Sequence, residues 1–214
     1  MKNLTLLFAL GLILVSGCTK DESYKQIEEQ TVNSVYVLNQ FDGASTWETM
    51  LIHELQNSAT STYSKNDSND VHTNGYYVPS SRDAMTITWS GTQNINGGHG
   101  IASIQQSTPY FSFDLVLETE CVTASGNQAV YGGTITQVKA LSGNAPPIGV
   151  GWRFYFKVID SERMDEIANC TMFASPMSPS LCNAYFPNNL IWSSQGYSEV
   201  ISPGFVVVKH MSSD

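Results

Sequence analysis

The sequence predicts an all-β protein that folds as an antiparallel β-sandwich or a barrel-like sandwich. Apolar and polar residues alternate with period two in many segments after residue 76, which is the pattern of half-buried strands. Only 14% of the residues are charged, and Ser, Thr, Asn, Gly and Tyr are plentiful, as is typical of secreted β-proteins. Turn residues separate the apolar segments, which favours antiparallel neighbours.

Seven segments carry the strand prediction. They are residues 34–38, 85–90, 101–105, 111–118, 129–138, 149–160 and 205–209. Residues 56–75 are almost wholly Ser, Thr, Asn and Asp, end in Asn74-Gly75, and are predicted to be a long loop. Residues 171–203 are rich in Pro, Ser and Asn, and we expect a second long irregular region there.

Residues 46–56 are compatible with either a helix or a strand. Ser45 and Glu48 have the spacing of a capping box, and Trp47, Met50 and Leu51 recur at helical spacing. A short helix is favoured over a strand in this segment.

Charge and ligand patterns exclude several classes of partner. The chain carries 19 acidic and 10 basic residues, for a net charge of −9. It has no basic cluster, so nucleic acid is not an expected partner. The four histidines, His53, His72, His99 and His210, lie far apart and show no metal-ligand spacing. We therefore expect neither a metal site nor a cofactor.

The N-terminus has the parts of a secretory signal peptide. Lys2 gives a positive start, and the apolar run from residue 4 to 15 is shorter than the roughly 20 residues of a membrane-spanning helix. The run ends in Val15-Ser16-Gly17-Cys18, which resembles the bacterial lipobox. That resemblance implies cleavage after residue 17 and several acyl chains on Cys18, which together would hold a membrane stably.

The residues after Cys18 indicate where the anchor would be sent. Lys20, Asp21 and Glu22 resemble the surface-export tag of lipoproteins in the Bacteroidota, although a charged linker would have the same composition. The resemblance implies an outer-membrane protein that faces the cell exterior. We expect a signal peptide at 1–17, a flexible tether at 18–33 and a single β-sandwich-like domain at 34–214.

A second resemblance covers residues 110–160. Glu120-Cys121-Val122, Gly132-Gly133-Thr134-Ile135-Thr136 and the aromatic strand from Gly151 to Asp160 are similar to a widespread, mostly uncharacterised secreted bacterial β-domain. The chain departs from that pattern after Asp160, where Ser161-Glu162 replace an Asn-Gly turn. The resemblance implies a sandwich-like fold and no agreed activity.

Three cysteines remain if Cys18 is lipidated, and the cell surface permits disulfides. Cys170 and Cys182 flank a proline-containing loop and are the natural pair, which would leave Cys121 as a buried thiol. Other pairings remain open, because spacing alone does not fix connectivity.

A surplus of aromatic residues is the main functional hint. It comprises Tyr76, Tyr77, Trp89, Tyr110, Trp152, Tyr155, Tyr185, Trp192 and Tyr197. Tyr185, Trp192 and Tyr197 lie in irregular sequence and are predicted to form an exposed platform on which sugar rings could stack.

The sequence therefore favours a non-enzymatic, lipid-anchored domain that binds a glycan or an envelope protein. Two alternatives stay open. One is an enzyme acting on extracellular polysaccharide, with a carboxylate pair drawn from Asp114, Glu118 and Asp160. The other is a structural subunit of an envelope complex, which would expose a large apolar patch.

Overall fold

The fold is that of a computed structural model, which describes residues 34–41, 44–52, 70–77, 85–145, 147–181, 192, 196–200 and 204–210. Twelve β-strands lie within these described residues. They are β1 (Ser34–Phe41), β2 (Ala44–Leu51), β3 (Val71–Tyr77), β4 (Thr86–Asn94), β5 (Gly97–Ser107), β6 (Phe111–Ser125), β7 (Gln128–Gly143), β8 (Arg153–Ile159), β9 (Glu166–Ala168), β10 (Cys170–Ala174), β11 (Tyr197–Glu199) and β12 (Phe205–His210). In this part of the chain, no helix has the length and apolar character needed to cross a membrane.

The strands form one antiparallel sheet that is not closed. Its order is β12-β3-β4-β5-β6-β7-β8-β10-β1-β2, and β9 joins it by pairing with both β8 and β11. The prediction of an all-β, sandwich-like fold is confirmed.

The longest feature is the β6–β7 hairpin, which turns at Gly126 and Asn127. Gly126 has φ +60°, a left-handed conformation that a glycine adopts without steric cost. The Asn127 side chain donates to the Asp160 carbonyl at 2.6 Å, and the Asp160 amide donates back to the Asn127 carbonyl at 2.9 Å. These bonds tie the tip of the hairpin to the end of β8.

One face of the sheet carries the main core, which is built from aromatic side chains. The Phe154 and Phe173 rings meet edge to face at 4.7 Å, and the Tyr131 and Phe156 rings stack at 5.0 Å. All four side chains are fully buried. Each aromatic side chain buries about 150–250 Å², so this cluster dominates the apolar burial of the domain.

A second, smaller core lies on the opposite face of the middle strands. Tyr155 of β8, Met172 of β10 and Val37 of β1 occupy one cross-strand row, and all three are buried. Leu181 and Trp192, which follow β10 in the chain, pack into the same cluster. The middle strands are therefore covered on both faces.

The favoured helix at 46–56 is wrong for residues 46–51, which belong to β2, while residues 53–56 lie outside the described residues. This strand pairs with β1 along its whole length, from Ala44 opposite Phe41 to Leu51 opposite Ser34. Trp47 packs against Phe111 and Phe173, with ring centroids 5.4 and 5.3 Å away. The aromatic contacts and the β1 ladder outweigh the local helical spacing.

The loop predicted at 56–75 is wrong for residues 71–75, which belong to β3, while most of the remaining segment lies outside the described residues. Asn74-Gly75 makes no turn. The Trp89 indole lies over Gly75 on the core side and leaves no space for a Cβ there. Trp89 also donates from Nε1 to the Thr73 hydroxyl at 3.1 Å. Gly75 therefore allows the Trp89 indole to pack closely against the backbone of β3.

The irregular region predicted from residue 171 begins instead with a central strand. All five residues of β10 are buried, since the strand lies between β8 and β1 and has a core on each side. A strand covered on both faces shows no apolar-polar alternation, so period two could not detect it.

The predicted Cys170–Cys182 disulfide is wrong. Cys170 carries a buried, reduced thiol, and burial raises its pKa to about 12. Cys121, which was expected to be the reduced one, is disulfide-bonded, and its partner lies outside the described residues. Cys182 is the cysteine nearest to Cys170 along the chain, but the sheet places Cys170 inside the second core.

We expect the partner of Cys121 to be Cys182. A Cβ on Gly132 would lie 2.8 Å from the Cys121 sulfur and 2.7 Å from the Tyr155 ring. The Leu181 amide donates to the Tyr155 hydroxyl at 3.3 Å, which places the residue before Cys182 close to Cys121. Peptide mapping without reductant should recover this crosslink, and reduction should cost about 4 kcal/mol of stability. A crosslink that includes Cys170 would contradict the expectation.

Two carboxylates bond the outward amides of the edge strand β12. Asp165 accepts from the Val206 amide at 2.7 Å, and Asp160 accepts from the Val208 amide at 2.8 Å. Asp165 also accepts from the Ser161 amide at 3.1 Å. Because β12 pairs with β3 on its other side, both of its edges are hydrogen-bonded.

Replacing Asp165 by Ala should destabilise the domain by about 3 kcal/mol or more. The change leaves the amides of Val206 and Ser161 without their charged acceptor, and such bonds contribute about 1.5–3 kcal/mol each. Denaturant unfolding measures the loss. Glu118→Gln is the matched control, since Glu118 is exposed on β6 and should change stability by less than about 0.5 kcal/mol. Equal stability of both variants would contradict the role of Asp165.

Candidate functional site

All four residues predicted to act in anchoring and export lie outside the described residues, namely Cys18, Lys20, Asp21 and Glu22. Cys182 and Tyr185 lie outside them as well. Trp192 is described, and its side chain is 0% exposed within the second core. The prediction that Trp192 forms part of an exposed platform is therefore wrong, because no ligand can reach an enclosed ring. Tyr197 is half-buried on β11.

Tyr197 contacts the buried Lys157. The Lys157 Nζ donates to the Tyr197 hydroxyl at 3.1 Å and lies 5.4 Å from the centre of its ring. Lys157 is 4% exposed, and burial lowers the pKa of its amine to about 8. Its positive charge opposes the burial that raises the pKa of the Cys170 thiol. The Tyr197 hydroxyl therefore accepts a hydrogen bond from a buried amine within the protein.

Lys157 should make stability rise with pH above neutrality. Its folded pKa of about 8 lies below its ordinary value of 10.5, so the unfolded chain binds more protons between these two values. Between pH 7.5 and 9 the gain should be about 1 kcal/mol. Above pH 9 the raised pKa of Cys170 acts in the opposite direction, because the unfolded thiol ionises first.

Denaturant unfolding at pH 7.5, 8.2 and 9 tests this. Lys157→Met should abolish the rise, while Lys139→Met, which changes an exposed lysine on β7, should keep it. A rise that persists in Lys157→Met would show that another group titrates.

The three acids proposed for an enzyme do not converge. Asp114 and Glu118 project from the outer side of β6, where Asp114 accepts from the Gln105 amide nitrogen at 3.0 Å. They are four residues apart, or roughly 13 Å along a strand. Asp160 lies beside the hairpin tip and bonds β12, roughly 36 Å along β6 from Asp114 and roughly 23 Å from Glu118. A glycosidase pair needs a separation of about 5–10 Å, which none of these pairs meets.

Polar and aromatic side chains lie together on one accessible face of the sheet. We define the outer face as the side of β12, β3, β4 and β5 that points away from the main core. The cross-strand pairings place its residues in rows. One row is Phe205, Tyr76, Thr88 and Ser103, and the next is Val207, Asn74, Ser90 and Ile101. All eight are half-buried or exposed.

His72 lies in the third row of the outer face, between Lys209 and Thr92. His72 Nδ1 lies 3.0 Å from the Thr92 hydroxyl, and Nε2 lies 3.0 Å from the Asn74 amide oxygen. Because the Asn74 oxygen only accepts, His72 donates to it from Nε2. The imidazole therefore fixes the orientation of the Asn74 amide.

Tyr76 and Phe205 are the aromatic residues of this face. They lie directly opposite each other on β3 and β12, and Phe205 is 45% exposed. Tyr76 belonged to the aromatic surplus found in the sequence, but Phe205 was missed. Phe205 lies opposite Tyr76 only because β12 pairs with β3, and no local sequence pattern predicts that pairing. Among the described residues, no group of three or more His, Cys, Asp or Glu could hold a metal ion.

Comparisons of the chain with protein-family models, with curated proteins and with solved structures find no match.

Proposed function

We propose that this chain is a lipid-anchored protein of the outer membrane, which displays a non-enzymatic binding domain toward the cell exterior. The observation that carries the proposal is Cys18, placed directly after Ser16-Gly17 at the end of a short apolar run that follows Lys2. The run is too short to span a bilayer, so a cleaved signal and an acylated cysteine account for it better than a membrane helix.

The position of the first strand fits an anchored domain. β1 begins at Ser34, so the fifteen residues 19–33 would separate an acylated Cys18 from the sheet. A chain of that length reaches at most about 55 Å when fully extended. This reach lets the domain stand clear of lipid headgroups, which its net negative charge would not attract.

Binding is favoured over catalysis by the described residues. The sequence-predicted acids stand too far apart for a carboxylate pair, as shown above. The outer face is accessible and carries hydroxyl, amide and aromatic groups without any covering element among the described strands. An accessible polar sheet face suits reversible recognition of a ligand.

Among the described residues, the two most exposed apolar side chains do not form the patch that an envelope subunit would need. They are Ile95 and Tyr110, which are 82% and 73% exposed. They lie in the turns at opposite ends of β5 and cannot belong to one patch. A structural subunit would need a contiguous apolar surface.

Two variants test the anchor and its orientation separately. Cys18→Ala should remove acylation and release the protein from the membrane fraction. Replacing Lys20, Asp21 and Glu22 together by Ala should keep acylation, which intact-mass measurement reads directly, and turn the protein inward. Protease treatment of whole cells would then cleave the wild type and spare the triple variant.

Each outcome bears on one part of the proposal. Membrane retention of a non-acylated Cys18→Ala protein would overturn the lipid anchor. Equal protease sensitivity of the wild type and the triple variant would overturn the export role of residues 20–22. Replacing Lys25 and Glu28 by Ala, farther along the same segment, is the matched control and should change neither result.

A further inference from the structure

We propose that the outer face binds a neutral oligosaccharide, with Tyr76 and Phe205 as the surface on which sugar rings stack. The inference rests on the proposed binding function and names its site and ligand class. It replaces the platform expected at Tyr185, Trp192 and Tyr197.

The aromatic pair has the required placement. Phe205 and Tyr76 sit opposite each other on neighbouring strands, where facing Cβ atoms are about 5 Å apart. Both side chains point away from the main core, since the alternate residues Val206 and Tyr77 are the buried ones. An aromatic face is negative, and the C–H groups on one side of a pyranose ring are its natural partners.

Hydrogen-bonding groups continue from the aromatic pair across the sheet. Thr88 and Ser103 follow in the same row, and Asn74 and Ser90 follow in the next. Each hydroxyl can both donate and accept, and the Asn74 amide adds a donor nitrogen whose direction His72 fixes. With strands about 4.8 Å apart, the Phe205–Ser103 row is about 14 Å long. A ligand rich in hydroxyl groups matches this alternation of donors and acceptors.

The charge of the face selects a neutral ligand. The two rows contain no charged side chain, although the chain as a whole carries −9. The nearest charged positions flank them, with Lys209 beside His72 on β12 and Glu118 opposite Ile101 on β6. A polyanionic glycan would meet the net negative charge of the domain without a basic partner in the rows.

A protein partner fits this face less well. The centre of a protein interface is apolar and depleted in Ser, whereas Thr88 and Ser90 lie in the middle of these rows. Phe205 and Val207 adjoin on β12, but Ile101 stands at the opposite end on β5, so the apolar members leave the middle of the face polar.

Affinity electrophoresis of the purified full chain in mild detergent tests the proposal. The probes are neutral polysaccharides (xylan, glucomannan, mixed-linkage β-glucan, dextran and starch) and the polyanions alginate and heparin. Wild-type protein should be retarded by at least one neutral polymer and by neither polyanion. Tyr76→Thr and Phe205→Thr should each weaken that retardation about tenfold.

Threonine keeps the strand propensity at both positions, and Tyr110→Thr is the matched control because Tyr110 is an exposed aromatic residue outside the face. The control should bind as the wild type does, and unchanged thermal unfolding should confirm that the variants fold. Retardation that survives both face variants, binding to polyanions alone, or no retardation by any polymer would overturn the inference. None of these results bears on the proposed lipid anchor, which membrane fractionation and protease treatment of whole cells test independently.

Discussion

The whole arrangement depends on strands that are apolar on both faces. β8 sends Phe154 and Phe156 into the main core and Tyr155 and Lys157 to the other side. A sheet with two apolar sides cannot leave one side in water, so the chain after β10 supplies a second cover that includes Leu181 and Trp192. Where the outward residues are hydroxyls and amides instead, as on β3 to β5, no cover is required and the face stays accessible.

This division also explains which strands the sequence reveals. β4 and β6 alternate apolar and polar residues because one side faces solvent, and their positions follow from period two alone. β10 has no polar side and shows no period. β2 and β3 were misread for local reasons: Trp47 and Met50 have helical spacing, and Asn74-Gly75 has turn composition. In both strands, contacts with residues distant in sequence decide the conformation.

The same limit applies to the functional residues. Composition showed that aromatic residues were in surplus, but it could not separate the enclosed Trp192 from the accessible Tyr76. The pairing of Tyr76 with Phe205 depends on a strand contact between the early and the final parts of the domain. Cysteine spacing failed for a related reason, because β10 places Cys170 in a core while Cys121 carries the disulfide. The position of the aromatic pair and the environment of the cysteines both depend on pairing between strands that are distant in sequence. Patterns in a single sequence indicate only local structure.

The carboxylates of Asp160 and Asp165 have a consequence for how neighbouring copies of this sheet can meet. An exposed edge strand offers a row of unpaired amides, and a neighbouring copy can extend the sheet through them. Asp160 and Asp165 occupy the amides of Val208 and Val206, so this edge offers no template for intermolecular strand addition. Copies can therefore crowd together without aggregating through β12, and the aromatic residue beside that edge remains accessible.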